Sequence, residues 1–139
     1  MLPSERIPFN PVIGRSKLHL PGGARMVIWP LLAMEVWDIN RPMPRVVLAP
    51  PEGTLLTTDI PNCSWHEYGM RSGIGRLIQM FDDLNIAPCV TLNARACTDY
   101  PQVTEAILKR GWELNAHSYD QIAMHKIENQ KEMIENTID

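Results

Sequence analysis

Trp112-Glu113-Leu114-Asn115-Ala116-His117-Ser118-Tyr119-Asp120-Gln121 reads as a short buried strand that delivers a histidine to its C-terminal end. In an α/β fold the loops leaving the strand ends form the mouth of the site, so a polar residue there is placed for chemistry. Working outward, Pro101 to Arg110 reads as a helix, with proline in its first turn and Gly111 just past its end. Ile86 to Asn93 before it reads as another strand. Asn93, like His117, closes an apolar run.

The same reasoning extends toward the N-terminus. Ile74, Leu77, Ile78, Phe81 and Leu84 fall on one stripe and predict a helix over Arg71 to Leu84, closed by Asn85. Ala24 to Glu35 is almost continuously apolar, as in a strand buried on both faces, although Pro30 cannot donate to a ladder. Residues 38–69 hold Pro42, Pro44, Pro50, Pro51, Gly53, Pro61 and Gly69 and read as a long loop packed near a site. Residues 1–23 read as an extended arm that ends in Leu20-Pro21-Gly22-Gly23, and 24–139 as one domain. From Ile127 the tail has a helical pattern.

Strands alternating with helices argue for right-handed β-α-β units and a parallel sheet. Three such strands form a small open sheet or the first part of a barrel, which normally needs ~250 residues. The chain ends at Asp139, soon after His117. The expectation from the pattern is therefore an α/β fold with parallel strands, either a small open sheet or the incomplete N-terminal portion of a (β/α) barrel.

Composition narrows the classes. The chain has 139 residues, 45% hydrophobic and 21% charged, with a net charge of −3. That charge gives no support for nucleic-acid binding or a basic membrane patch. No apolar window has the length of a membrane span, and the N-terminus lacks a secretion signal, so a cytoplasmic address is expected. Cys63, Cys89 and Cys97 show no paired spacing and read as reduced, mostly buried thiols. Gly69, Gly73 and Gly75 do not make a dinucleotide-binding pattern and read as helix-start and packing glycines.

Three strand ends carry Glu35, Asn93 and His117. A carboxylate beside a histidine can take a proton from water while the other group serves a leaving group or an oxyanion. The competing reading is that both residues merely cap strand ends. Glu35, His117 and one further oxygen make a candidate set for a divalent metal, whereas catalytic zinc generally takes three protein ligands. No cofactor is expected.

Pro61-Asn62-Cys63-Ser64-Trp65-His66-Glu67-Tyr68-Gly69-Met70-Arg71-Ser72-Gly73 resembles the N-Y-S-x-x-E-Y-G-x-R-x-G stretch of polysaccharide deacetylase-like proteins, in the branch near cofactor-independent allantoinase. Val90-Thr91-Leu92-Asn93-Ala94, and Tyr100-Pro101 through Gly111-Trp112-Glu113, resemble the second β-α-β unit of that family. His117-Ser118-Tyr119 resembles its H-G-Y motif, and Met34-Glu35-Val36-Trp37-Asp38 sits where it carries its first acidic motif. The resemblance implies a distorted β/α barrel that hydrolyses non-peptide C–N bonds in N-acetyl sugars or in a cyclic amide such as allantoin. It implies Glu35 as base and His117 as catalytic partner, with Glu67, Tyr68 and Arg71 toward a small-molecule or sugar substrate. Asn93 completes the substrate-binding set. Val36 and Gln121 stand where metal-using members carry an acid and a second histidine, so a conventional metallo-deacetylase is not expected. The alternative is a non-catalytic binding or assembly module, and a homo-oligomer is open.

Overall fold

The computed structural model describes residues 3–50, 53–54 and 57–139. Met1 and Leu2 of the expected arm, and Pro51, Glu52, Leu55 and Leu56 of the expected loop, lie outside the described residues. One helical turn, α1 (Pro3–Arg6), is followed by chain with only a 3₁₀ turn at Pro21–Gly23. Then come β1 (Leu31–Met34), α2 (Ile60–Tyr68), a π-turn (Gly69–Gly73) and α3 (Ile74–Asp83). They are followed by β2 (Cys89–Leu92), α4 (Ala96–Asp99), α5 (Pro101–Leu108), β3 (Glu113–Ala116) and α6 (Gln130–Ile138). The strands form one parallel sheet in the order β1-β2-β3, not closed into a barrel.

One face of the sheet packs against the crossover helices. Leu32 and Met34 of β1 and Val90 and Leu92 of β2 meet Met70, Ile74, Phe81 and Ile107 in a single core. Trp112 closes its lower end edge-on to Phe81, with ring centroids 5.6 Å apart. Burying side chains of this size is worth ~1.5–3 kcal/mol each, so the α3 and α5 faces hold the sheet together. The turn into β3 needs Gly111, whose φ of 65° is left-handed.

Three expectations are corrected. The first strand is Leu31–Met34, not Ala24 to Glu35. Met26 to Trp29 are between 64% and 80% exposed, and pairing starts only past Pro30, which has no N–H to give. The third strand is exposed along its length rather than buried. It lies at the sheet edge, with β2 as its only pairing neighbour among the described residues. The expected loop of 38–69 ends early, because α2 starts at Ile60 and continues through the π-turn into α3. Gly69 and Gly73 therefore bound a π-turn inside one long helical segment rather than the start of a helix.

The start of α2 also anchors the loop. Asp59 caps it by accepting from the Asn62 N–H at 3.1 Å. Asn62, 1% exposed, accepts from the Val47 and Leu48 N–H groups, both at 2.8 Å, and donates to Leu48 O and Asp59. Asn62→Ala leaves those two N–H groups without an acceptor, at a cost of about 2 kcal/mol. Hydrogen exchange is expected to accelerate at Val47 and Leu48 well beyond the global loss of stability; unchanged protection there would refute the anchoring role.

Candidate active site

The register carries the site. Met34, Leu92 and Ala116 stand side by side, so the next residues, Glu35, Asn93 and His117, form a row at the C-terminal ends of the strands. Alternation points the row away from the helices, since Leu32, Met34, Val90 and Leu92 take the helix side. The Glu35 Oε1 and His117 Nε2 atoms are 3.9 Å apart across the top of β2.

Asn93 sits between them, fully buried. Its Oδ1 accepts from the Val36 N–H at 2.9 Å. Its Nδ2 donates to the His117 carbonyl and, at 3.3 Å, to Gln121 Oε1. One amide therefore links the loops of all three strands. Backbone bonds from Ala94 and Arg95 to the carbonyls of Ser118 and Tyr119 reinforce the link. Ser118 has a φ of 66°, a left-handed conformation that costs a non-glycine residue ~1–2 kcal/mol and turns the chain sharply after His117.

A second device orients Glu35. The Trp37 indole N–H donates to Glu35 Oε2 at 3.0 Å, leaving Oε1 toward His117. The His66 ring stacks on Trp37, 4.4 Å between centroids and 1° from parallel. Burial pushes His66 below its ordinary value, against the Glu35 backbone hydrogen bond and the Glu35 and Glu67 charges. Its Nε2 is buried with no hydrogen-bond partner among the described residues. Glu35, Trp37, His66, Tyr68 and Gln121 line a cleft of about 630 Å³ whose lower part runs between β1 and α3. His117 stands beside that cleft and is not part of its lining.

The neutral His66 has a pH signature. The unfolded chain takes a proton near 6.5, which the folded ring refuses until lower pH. Stability is therefore expected to fall as pH drops below about 6.5, and to level once the folded ring is itself protonated. The carboxylates that are held low (Asp38, Glu67 and Asp82) act in a lower window, below ordinary values of 3.8 to 4.5. Urea titrations between pH 5 and 7 check this, and His66→Gln should flatten the slope; an equal slope in the variant would assign it elsewhere.

The remaining expected residues divide. Tyr68 lines the cleft. Glu67 and Arg71 pair with each other at 2.8 Å, and Glu67 also accepts from the Tyr100 hydroxyl. Burial raises the Glu67 carboxyl, but these two hydrogen bonds outweigh it and hold it low. Burial and the carboxylate together push the Tyr100 hydroxyl up. This trio ties α2 to the start of α5, and neither Glu67 nor Arg71 lines the cleft. Trp37, His66 and Gln121 join the site without having been singled out for it. The signal in the sequence was that Trp37 lies two residues past Glu35, and His66 next to Glu67.

Next to the row, Arg95 holds Asp120 at 3.2 Å, Asp99 at 2.9 Å and Asp38 at 3.8 Å. The Asn40 backbone N–H, the Asn40 side chain and the charges of Arg95 and Arg41 keep Asp38 low, against burial. No group of three or more His, Cys, Asp or Glu residues is placed to hold a metal ion among the described residues. Val36 is buried in the core, and Gln121 is engaged by Asn93. Glu35 and His117 alone fall short of the three ligands of a catalytic zinc. Cys63 and Cys89 are buried and Cys97 is exposed; burial and the nearby Glu67 and Asp59 charges push the Cys63 thiol up. No described helix is long and apolar enough to cross a membrane.

An α/β fold with polar residues at the ends of parallel strands is the class these features define. The chain is similar in structure to the PuuE allantoinase, with a TM-score of 0.72 and 24% identity, over 86% of this chain and 43% of that one. It is also similar to a candidate polysaccharide deacetylase from Mycobacterium smegmatis, with a TM-score of 0.50 and 22% identity, over 83% of this chain and 41% of that one. The chain thus spans less than half of either protein. No family model and no curated protein matches it. The two similarities show a shared fold.

Proposed function

We propose that this chain carries the Glu35–His117 part of a hydrolytic site for non-peptide C–N bonds, in an N-acetyl sugar or a cyclic amide such as allantoin. The observation that carries the reading is the 3.9 Å approach of Glu35 Oε1 to His117 Nε2, with Trp37 occupying the other carboxylate oxygen. The shared fold of an allantoinase and a candidate deacetylase supports it.

In this reading Glu35 accepts a proton from water as its oxygen attacks the carbonyl carbon. The C–N bond then breaks, and the same proton passes to the departing nitrogen. An acyclic amide yields an acid and an amine; a cyclic one opens. His117 steadies the oxyanion in between. Tyr68 lines the substrate cleft, and Asn93 holds the row from behind. Arg71, held by Glu67 through its Nε and with its side chain 75% exposed, offers its guanidinium to a carboxylate or imide oxygen. The chemistry needs no resident metal.

The test is turnover of allantoin and N-acetylglucosamine by the purified chain, with and without a chelator. Turnover of one substrate that survives chelation is expected. Loss on chelation would overturn the metal-free mechanism, and no turnover of either would overturn the hydrolase reading. A second reading, a binding or assembly module, is favoured by the outer edges of β1 and β3, which pair with no further strand among the described residues.

A further inference from the structure

Both peptide units that flank the Glu35 Cα atom are held. The one before it accepts at Met34 O from the Asn93 N–H, at 3.1 Å. The one after it, which joins Glu35 to Val36, donates its N–H to Asn93 Oδ1 at 2.9 Å. The His66 ring also hydrogen-bonds the Glu35 backbone, and that bond favours the protonated ring. A bond of that sense is one in which the ring donates, so the Glu35 carbonyl accepts it. The Glu35–Val36 peptide is thus gripped at both ends, by α2 and by the end of β2. Hydrogen bonds in series through one group polarise and strengthen each other. With both flanking peptides fixed, the Cα–Cβ bond of Glu35 has one direction.

The carboxylate end is gripped through the same residue. Trp37 donates its indole N–H to Glu35 Oε2 at 3.0 Å, and the His66 ring lies flat on Trp37, 4.4 Å between centroids. An indole free to turn would release that oxygen, and the stacked ring covers one of its faces. His66 in turn stands on a fixed support. One turn earlier in α2, buried Asn62 is bonded to Val47, Leu48 and Asp59. The next residue, Glu67, accepts from the Tyr100 hydroxyl and from Arg71. Resting on the reading of Glu35 as the base, we propose that His66 is a positioning residue. It fixes the base at its backbone and, through Trp37, at its carboxylate, so that Oε1 is left toward His117.

Proton–nitrogen correlation spectra of the isotope-labelled chain test this independently of turnover. The chain has four tryptophans, and Trp37→Phe identifies the indole signal of Trp37. Glu35→Gln is expected to move that signal, because the indole exchanges a carboxylate acceptor for an amide. In a His66→Ala background the same Glu35→Gln shift is expected to shrink to a small remainder; a shift of undiminished size would overturn the proposal. Should His66→Ala not fold, His66→Phe decides, since it keeps a ring on Trp37 but has no N–H for the Glu35 carbonyl. The Val36 amide nitrogen shares that peptide and is expected to move upfield; an unmoved nitrogen would refute the backbone grip. Where the wild type turns a substrate over, His66→Ala is expected to lower kcat by ~10², the penalty of a misplaced group, with KM within about threefold. A raised KM with kcat kept would make His66 a substrate contact instead and overturn the positioning role. The expected indole behaviour in a chain without turnover would leave His66 as the holder of Glu35 and sink the hydrolase. Turnover with an undiminished shift would do the reverse.

Discussion

Asn93→Leu is expected to destabilise the chain by roughly 2–4 kcal/mol, because it orphans groups on both sides of a fully buried amide. The Val36 N–H loses its acceptor and the His117 carbonyl loses its donor. Leucine offers neither, and burial of Val36 denies its N–H a replacement partner in water. Asn93→Asp is the sharper variant. It keeps an acceptor for Val36 but sets a carboxylate oxygen against the His117 carbonyl, so it should be no milder than leucine. Urea denaturation measures both. A loss under 1 kcal/mol in either variant would mean that the loops hold their places without Asn93.

Glu35→Gln is expected to lower turnover by ~10²–10⁴, the usual contribution of a positioned general base, with little change in stability. Glutamine keeps the shape and can still accept from the Trp37 indole, but it cannot take a proton from water. The urea midpoint of this variant separates the two effects. Equal turnover in wild type and Glu35→Gln would remove Glu35 from the chemistry. Loss of turnover that tracks loss of folding would reduce it to a strand-end cap.

Much of this was legible in the sequence where periodicity and chain chemistry agree. Ile74, Ile78 and Phe81 marked α3, Pro101 and Gly111 bracketed α5, and Asn85 closed its helix with a φ of 52°. The row of Glu35, Asn93 and His117 followed from strand ends alone, since parallel register aligns them. Met26 to Trp29 misled because hydrophobicity shows that a segment seeks cover, not that it pairs. The start of α2 was hidden because Ile60–Tyr68 carries no clear apolar stripe, and its Pro61 reads as a loop residue. The signal was present: Asp59 followed by Pro61 is a cap followed by a first-turn proline. Missing α2 also hid the stack of His66 on Trp37, which exists only once that helix is placed.

The central claim is that Glu35 and His117 act as one unit, and a double-mutant cycle on kcat/KM tests it most directly. Glu35→Gln, His117→Gln and the double variant are compared with the wild type on whichever substrate is turned over. Groups that share one step are non-additive, so the double variant is predicted to be about as slow as the slower single one. Single losses that multiply in the double variant would show the two residues working independently, and would contradict the account.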